Sequence, residues 1–187
     1  MKPKIVLGVT GASGSVLAER FLEFADAEVH LVISSNSEQV IEYETGHGSD
    51  KLKEKASFVY NDNDVAARIS SGSFIFNAMV VMPCSINTLA KISSGISDSL
   101  ITRSAAVAMK ERRRLILVPR EMPLSQIALE NMLRITNAGG IIAPAMPAFY
   151  TKPETVMDMV DFIVGRVMDL CGLENKLVKR WRTEERD

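Results

Sequence analysis

Cysteine and histidine are scarce in this chain, and each scarcity excludes a class of site. The two cysteines, Cys84 and Cys171, are far apart in the sequence. They predict neither a disulfide framework nor a cysteine metal cluster, and a reducing cytoplasm is the simplest setting. The two histidines have no cysteine or acidic ligand at metal spacing, so we expect no bound metal.

Strong charge and long apolar runs are also missing. The formal net charge is −1, which gives no overall attraction to nucleic acid or to an anionic membrane. Apolar runs are no longer than a strand, and Met1 leads almost directly into the first of them, so we expect no membrane span and no signal peptide. With 187 residues, 47% hydrophobic and 24% charged, the chain fits one domain over 1–187, ending in a tail from about 172.

A glycine-rich stretch over 8–15 is the strongest local pattern. It follows a short apolar run, Lys4 to Leu7, and precedes a helical stripe that includes Leu17 and Phe21. A strand-to-helix turn of this kind exposes backbone N–H groups beside a positive helix end, which suits phosphate. The glycines at 8, 11 and 14 match neither the dinucleotide fingerprint nor the triphosphate loop. Tight helix–strand packing is the alternative interpretation.

Strand and helix patterns alternate along the rest of the chain. They predict an α/β, three-layer αβα Rossmann-like fold with a parallel sheet in a single domain. We expect Pro83 to end its strand, Asp98 to cap the following long helix, and residues 49–77 to form an irregular excursion. In such a sheet, the turns 8–15, 34–37, 83–88, 119–121 and 144–150 converge on one site at the carboxyl ends of the strands.

Several charged residues could carry chemistry there, each with an ordinary surface or packing role as the alternative. Arg120 and Glu121 lie between Pro119 and Pro123, a stiff segment that suits a positioned ion pair. Glu44 is a carboxylate at a predicted helix carboxyl end, where the helix dipole disfavours it, and this is a weak functional hint. Because no acidic residue ends the second strand to hold an adenosine ribose, we expect FMN and not FAD or NAD.

A set of motifs then occurs in one order along nearly the whole chain: residues 8–14, 82–89, 95–98, 108–113, 118–121, 129–132 and 147–150, with Arg180-Trp181 in the tail. Together they resemble the UbiX-type flavin prenyltransferases, formerly described as aromatic-acid decarboxylases. That resemblance implies transfer of a dimethylallyl group from dimethylallyl phosphate to N5 and C6 of reduced FMN. The product, prenylated FMN, would serve UbiD-type decarboxylases, and the assembly would be a homo-oligomer, a dodecamer by resemblance.

The resemblance also implies site residues. The flavin contacts fall on Gly11, Ala12, Ser13, Ser34, Ser85, Ile86, Asn87, Thr88 and Arg120. The prenyl-phosphate end falls on Lys110, Glu121, Tyr150 and Arg166, with Arg103 nearby. Ser13 and Glu44 match a hydroxyl–carboxylate pair that handles protons near N5, so the implied catalytic set is Ser13, Glu44, Lys110 and Glu121.

The chain departs from the family pattern at Ala106, where an acidic residue is common, and at Ala128, where histidine is common; segment 46–77 is also shorter than in many members. These departures put local helix packing and subunit contacts in doubt.

Two alternative functions stay open. An FMN-dependent decarboxylase of the cysteine-decarboxylase group would need an early histidine, which is missing between Thr10 and Val29. A non-catalytic FMN carrier would not need the phosphate-end residues.

Overall fold

A computed structural model describes residues 2–178 as a parallel sheet between two layers of helices. The strands are β1 Lys4–Val9, β2 Glu28–Ile33, β3 Phe58–Asn61, β4 Ala78–Cys84, β5 Arg114–Pro119 and β6 Ile141–Ile142. The helices are α1 Ser15–Phe24, α2 Ser35–Thr45, α3 Asp50–Lys55, α4 Ile86–Ser93, α5 Leu100–Lys110, α6 Gln126–Asn137 and α7 Val156–Cys171, with a 3₁₀ helix at Arg68–Ser70. The Arg180-Trp181 tail motif lies outside the described residues.

The strand order is β3-β2-β1-β4-β5-β6, and every neighbouring pair is parallel. Because successive side chains of a strand point to opposite faces, Leu7 packs with α1, α2, α3 and α7 on one face while Val6 packs with α4, α5 and α6 on the other. This arrangement confirms the predicted α/β Rossmann-like fold. The order reverses between β1 and β4, which is where such sheets bind ligands.

The expectation that Pro83 ends its strand was wrong. Strand β4 continues through Pro83 to Cys84, which lies opposite Pro119 of β5. The register shifts between Val81 and Cys84, and an irregularity of this kind accommodates a residue that has no N–H to donate. The carbonyl of Pro83 still accepts a hydrogen bond, from the N–H of Thr10 at 3.2 Å.

Two further expectations also failed. Segment 49–77 is more ordered than expected, since it contains α3, whose Leu52 is buried, and β3, which pairs with β2 at the sheet edge. Edge strand β3 is mostly exposed, so it lacks the apolar alternation that marks a half-buried strand. Asp98 does not cap α5: Ser99 does, in a capping box with Thr102, and Asp98 accepts from Lys91 at 2.6 Å.

The helices of residues 2–178 are all too short or too polar to cross a bilayer. The start of the predicted tail packs against the rest of the chain, because Leu173 and Val178 are buried.

Candidate active site

Thr10 ties the two strands at the reversal of the sheet order. Its Oγ1 donates to the carbonyl of Pro83 at 2.9 Å and accepts from the N–H of Ser85 at 2.8 Å. The side chain is almost completely buried. The glycine-rich turn after β1 and the turn after β4 are therefore held together by one hydroxyl.

A polar cavity of about 340 Å³ opens beside this link. Its lining is formed by residues that follow β1, β2, β3 and β4 at their carboxyl ends, including Thr10, Gly11, Ser34, Ser35, Asn36, Asp62, Ser85, Asn87, Thr88, Lys91 and Asp98. Ser85 caps α4, with its Oγ accepting from the N–H of Thr88 at 3.2 Å. Helices α2, α4 and α5 begin at this edge, so their amino ends favour an anionic ligand group.

The charged residues of the polar cavity are already engaged. Lys91 holds Asp98 at 2.6 Å, and the hydrogen bond from Lys91 lowers the pKa of the Asp98 carboxyl. Asp62 accepts from the N–H of Ile101 at 2.9 Å at the start of α5. An anion in this cavity would therefore be recognised mainly by hydroxyls and backbone N–H groups.

Glu44 lies at the carboxyl end of α2 but faces the amino end of α1. Its Oε1 accepts from the N–H of Gly14 at 2.8 Å, and its Oε2 accepts from the N–H of Ser15 at 2.8 Å and from the Ser15 hydroxyl at 2.6 Å. The residue at the cap position, Gly14, has a left-handed backbone and no side chain to cap the helix. Glu44 supplies that missing cap, which explains a carboxylate at an unfavourable end of its own helix.

The pKa of the Glu44 carboxyl is lowered. Partial desolvation acts to raise it, and this effect is outweighed by hydrogen bonds from the Ser13 and Ser15 side chains and from the backbone of Ser15 and Gly14. Donors that bind the charged form stabilise it. Glu44 is an exposed residue by surface area, yet its two oxygens are occupied by these donors. The structure thus brings Ser13 and Glu44 together.

Arg120 and Glu121, directly after β5, make separate contacts. The Nε of Arg120 donates to the carbonyl of Ser13 at 3.3 Å, which connects the β5 turn to the glycine-rich turn. An oxygen of Glu121 accepts from the N–H of Met122 at 3.0 Å. Both charged side chains are exposed. They do not form the expected ion pair with each other, because each has a backbone group as its hydrogen-bond partner. The prolines hold a turn that presents both groups outward.

A second, mostly apolar cavity of about 490 Å³ adjoins this turn. It is lined by Pro119, Arg120, Glu121, Met122, Leu124, Met132, Pro144, Ala145 and Met146. The N–H of Ala145 donates to the carbonyl of Pro119 at 3.1 Å, so the loop after β6 is fixed against the β5 turn. The edge of the sheet thus has a polar cavity and an apolar one, and Arg120, which lines the apolar cavity, is hydrogen-bonded to Ser13 of the glycine-rich turn.

Two predicted phosphate-end residues, Lys110 and Arg166, lie away from this place within one chain. Helix α5 starts at the carboxyl edge and ends at Lys110, just before β5 begins, so Lys110 lies at the opposite edge and pairs with Glu111. Arg166 lies in the second half of α7, whose last turn reaches Arg114 at the start of β5, and it pairs with Asp169 at 3.0 Å. Arg103 is exposed on α5.

Tyr150 remains at the carboxyl edge, in the loop after β6. Its ring packs edge-on against Phe162 of α7, with 6.0 Å between centroids. It is half exposed, and the neighbouring Phe149 is 71% exposed. Of the predicted phosphate-end set, Glu121 and Tyr150 therefore share the edge that carries the two cavities.

Three polar residues of this edge were not singled out from the sequence. Thr10 and Ser15 lie inside the glycine-rich stretch, where a buried hydroxyl cannot be told from an exposed one by pattern alone. Asp62 follows an edge strand whose polar sequence resembles a loop.

The thiol of Cys84, which precedes Ser85, has its pKa raised to about 12 by burial, so it is not a thiolate nucleophile at neutral pH. Among residues 2–178, no group of histidine, cysteine or acidic side chains could hold a metal ion.

The residues present fit a flavin mononucleotide. Gly11 borders the polar cavity, and a Cβ at this position would come within 3.1 Å of the Asn36 Cβ, so the glycine lets this turn lie close against the start of α2. Hydroxyls of Ser34, Ser85 and Thr88 suit a phosphate and a sugar chain, and Ser13 with Arg120 suits the polar edge of a ring. The apolar cavity suits a hydrocarbon substituent.

Comparison with known families and relatives gives a consistent result. Residues 1–168 match the family described as Flavoprotein. The chain is 55% identical over 179 residues to the flavin prenyltransferase UbiX of Thermoplasma acidophilum, a match that covers 95% of this chain and 99% of that relative.

Two solved structures superimpose closely. One is a crystal structure of AnUbiX in complex with FMN and dimethylallyl pyrophosphate, with a TM-score of 0.95, 46% identity, and coverage of 99% of this chain and 100% of that one. The other is a dodecameric FMN-dependent UbiX-like decarboxylase from Escherichia coli O157:H7, with a TM-score of 0.92, 47% identity, and coverage of 96% and 99%.

Proposed function

The chain belongs to the flavoprotein family and, within it, to the UbiX-type flavin prenyltransferases, and from this premise we propose that it prenylates reduced FMN. A dimethylallyl group from dimethylallyl phosphate is joined to N5 and C6 of the flavin. The product is prenylated FMN, the cofactor of UbiD-type decarboxylases, which are the partners that receive it. The older carboxy-lyase label fits the family's former description and not this chemistry.

The observation that carries the proposal is the pair of cavities at one edge of the sheet, with the hydrogen bond from Arg120 to Ser13 joining the β5 turn to the glycine-rich turn. A ligand with an anionic tail and a flat ring can place the tail among Ser34, Ser85 and Thr88 and the ring near Ser13. Reduced FMN supplies the nucleophilic N5 and C6 positions when it is bound. The apolar cavity beside Arg120 and Glu121 then lies where the dimethylallyl group is needed, and it keeps water from a developing allyl cation.

Ser13 and Glu44 are proposed to handle the proton at N5. The side chain of Ser13 lies near enough to the Glu44 carboxyl to lower its pKa, and a hydroxyl that donates to this carboxylate keeps its own oxygen as an acceptor. A flavin N–H group can donate to that oxygen. Because Glu44 is held in its charged form, a proton can move from Ser13 toward the carboxylate after the first bond to the flavin has formed.

The phosphate leaving group needs cations that one chain does not gather. We place Glu121 at the phosphate for proton transfer, and Lys110, Tyr150 and Arg166, with Arg103 nearby, as the groups that stabilise the departing phosphate. Because Lys110 and Arg166 lie away from the carboxyl edge, they would reach the phosphate from neighbouring subunits. This requirement agrees with a homo-oligomer, and the dodecameric relative makes the same assembly the one to expect.

Supporting this assembly, large apolar side chains are exposed on α6, on the flanking turns and at the start of α7: Met122, Ile127, Leu129, Leu133, Met146, Val156 and Met157. No metal has a role in this scheme, since fixed cations hold a phosphate monoester. Neither nucleic acid nor a membrane is a partner. A cytoplasmic location and a single domain over 1–187 complete the proposal.

The test is an anaerobic incubation of the protein with reduced FMN and dimethylallyl phosphate, followed by mass measurement of the flavin. Prenylated FMN is the expected product. An FMN carrier would return unmodified flavin, and an enzyme of the cysteine-decarboxylase group would instead decarboxylate a peptidyl or pantothenoyl cysteine. A parallel reaction with the diphosphate tells which leaving group the site accepts.

A further inference from the structure

Ser15 has a buried hydroxyl that the proposed function does not use. The residue is 2% exposed, and its Oγ donates to Glu44 Oε2 at 2.6 Å while its own N–H donates to the same oxygen at 2.8 Å. An O–H···O⁻ contact of this length is typical of a charge-assisted hydrogen bond. The first residue of α1 thus binds one carboxylate oxygen twice.

Capping of α1 does not require this second contact. The backbone N–H groups of Gly14 and Ser15 already have the two Glu44 oxygens as acceptors, which satisfies two of the orphan donors of that helix end. The hydroxyl of Ser15 could have been replaced by hydrogen without leaving a backbone group unpaired. Its contribution is therefore to the carboxylate and not to the helix.

Counting acceptor positions shows what the hydroxyl does. An ionised carboxylate offers about four lone-pair directions. The backbone N–H of Gly14 and the N–H and hydroxyl of Ser15 fill three of these directions, and the side chain of Ser13 is near enough to lower the pKa of the carboxyl. With the other three in place, the carboxylate can neither rotate nor offer a different oxygen, so the Ser13 hydroxyl must donate in one direction.

We propose that Ser15 is a positioning residue, whose hydroxyl locks Glu44 so that Ser13 donates its proton to the carboxylate and presents its oxygen to the ligand. This inference rests on the proposed function, because only there does the direction of the Ser13 hydroxyl matter. Ser13 itself is exposed at the cavity edge, so without a fixed acceptor its hydroxyl would rotate freely. Ser15 touches neither flavin nor substrate in this scheme and acts through Glu44.

The charged groups on the elements around Glu44 are engaged with other partners. Glu19 of α1 pairs with Lys55 of α3 at 3.6 Å, and Lys53 of α3 pairs with Glu38 of α2 at 3.1 Å. Arg120 of the β5 turn donates to the Ser13 carbonyl at 3.3 Å. Along α2 itself, the acidic residue nearest to Glu44 in the sequence is Glu42. The ionisation of Glu44 is therefore governed by its hydrogen bonds and by its desolvation, not by a neighbouring charge.

A carboxyl titration tests the inference directly. Protein with ¹³C-labelled glutamate carboxyls is titrated by NMR, and the Glu44 signal is identified as the one missing from Glu44→Gln. In Ser15→Ala we expect the pKa of Glu44 to rise by about one unit, because the charged form loses one donor. Ser15→Thr keeps a hydroxyl and should restore the parent value.

Ser57→Ala is the matched control. The Ser57 hydroxyl accepts from the backbone N–H of Val29 at 3.1 Å, so this change also removes a serine hydroxyl that binds backbone, but away from Glu44. The Glu44 pKa should stay at the parent value in this variant. A rise in both variants would mean a general loss of structure and would overturn the proposal.

The rate of prenylation gives a second readout. If Glu44 must be ionised to accept a proton, activity falls below its pKa, so the acidic limb of the pH–rate profile should move up by the same unit in Ser15→Ala. An unchanged Glu44 pKa with only a lower Tm would show that Ser15 merely stabilises α1, and the proposal would be wrong. If the parent protein makes no prenylated flavin, the proposed function fails, while the NMR titration still decides whether Ser15 controls Glu44.

Discussion

Glu44 and Glu121 lie at the same edge of the sheet, but their surroundings are opposite. Three hydrogen bonds from Gly14 and Ser15 fix the Glu44 carboxylate, and the nearby Ser13 side chain helps to lower its pKa. Glu121 is exposed, and its one described hydrogen bond comes from the backbone of Met122, which is 88% exposed. The first carboxylate is preorganised within one chain, whereas the second is presented toward components that come from outside it.

The difference indicates how the site is divided. In the proposed function, the flavin end uses residues around the glycine-rich turn that one chain brings together. The phosphate end has Glu121 and Tyr150 at the same edge, whereas Lys110 and Arg166 lie elsewhere in the same chain. Oligomer assembly and ligand binding should therefore affect the two carboxylates differently.

Among these changes, replacing the exposed carboxylate Glu121 should have the largest effect on the rate of prenylation. Glu121→Gln keeps the shape of the side chain but cannot accept a proton, so prenylation should slow by about 10²–10⁴-fold, the usual contribution of a general acid–base group. FMN binding should be unchanged. Single-turnover absorbance of anaerobic reduced FMN with dimethylallyl phosphate gives the rate, and turnover at the parent rate would contradict the role of Glu121.

Co-expression of two inactive variants sharpens the comparison. Lys110→Ala and Glu121→Gln should each be nearly inactive alone. In randomly mixed oligomers, roughly a quarter of the sites would combine a native Lys110 from one chain with a native Glu121 from another. Activity of the doubly tagged, co-purified protein checks this expectation. No recovery in such mixed oligomers would mean that both residues act from the same chain.

Glu44→Gln tests the preorganised side. An amide cannot remain a charged acceptor, and its NH₂ group would confront backbone donors of Gly14 and Ser15. We expect the reaction to stall after the first bond, because the role of Glu44 is at N5 and not at the phosphate. The same single-turnover absorbance, with mass analysis of the quenched flavin, should show an intermediate that accumulates. Direct formation of the normal product at the parent rate would contradict that role.

Flavin binding itself depends on residues from both sides of the edge. Ser85→Ala combined with Arg120→Ala removes the cap of α4 at the polar cavity and the guanidinium beside Ser13. The Kd for FMN should rise by at least about tenfold, since each lost hydrogen bond to a charged group is worth about 1.5–3 kcal/mol. Calorimetric titration measures it. Unchanged binding would place the flavin elsewhere.

Acid should produce the smallest effect. The pKa of Glu44 in the folded protein is lowered from its ordinary value of 4.5, so its contribution to stability is present above that pH and is lost as the pH falls through the folded value. Compared with the parent, Glu44→Gln should have a Tm lower by about 2–4 °C at pH 7, which corresponds to roughly 1 kcal/mol for a chain of this size. Thermal scans should show the two proteins converging well below pH 4.5. A constant difference would mean that the charge of Glu44 has no part in stability.

Most of the fold could be predicted because its signals are local. Buried strands such as β1 and the turns after them carry their pattern within ten residues, and parallel pairing then brings the turns together. Pro83 was misjudged because an irregularity in β4 has no signature in the sequence. Edge strand β3 was missed for a related reason, since half of its surface faces solvent and its residues need not alternate.

The site was predictable only in part. The unfavourable position of Glu44 at the end of α2 was a usable signal, but its donors on α1 are about thirty residues away and depend on how two helices meet. The distance between Lys110 and Arg120 within one chain is likewise a property of the topology. The order of motifs along the sequence suggests a role for each residue. It does not tell which subunit of an oligomer supplies that residue to a given site.

The buried hydroxyl of Thr10 has a consequence for the energetics of ligand entry. Because the Thr10 side chain adds to the backbone pairing of β1 with β4, the glycine-rich turn and the Ser85 turn form a single rigid cradle. A rigid cradle loses little conformational entropy when a ligand binds. The protein is ordered when it folds, so this ordering does not reduce the binding affinity. The cradle can discriminate among ligands by shape before any loop has to close.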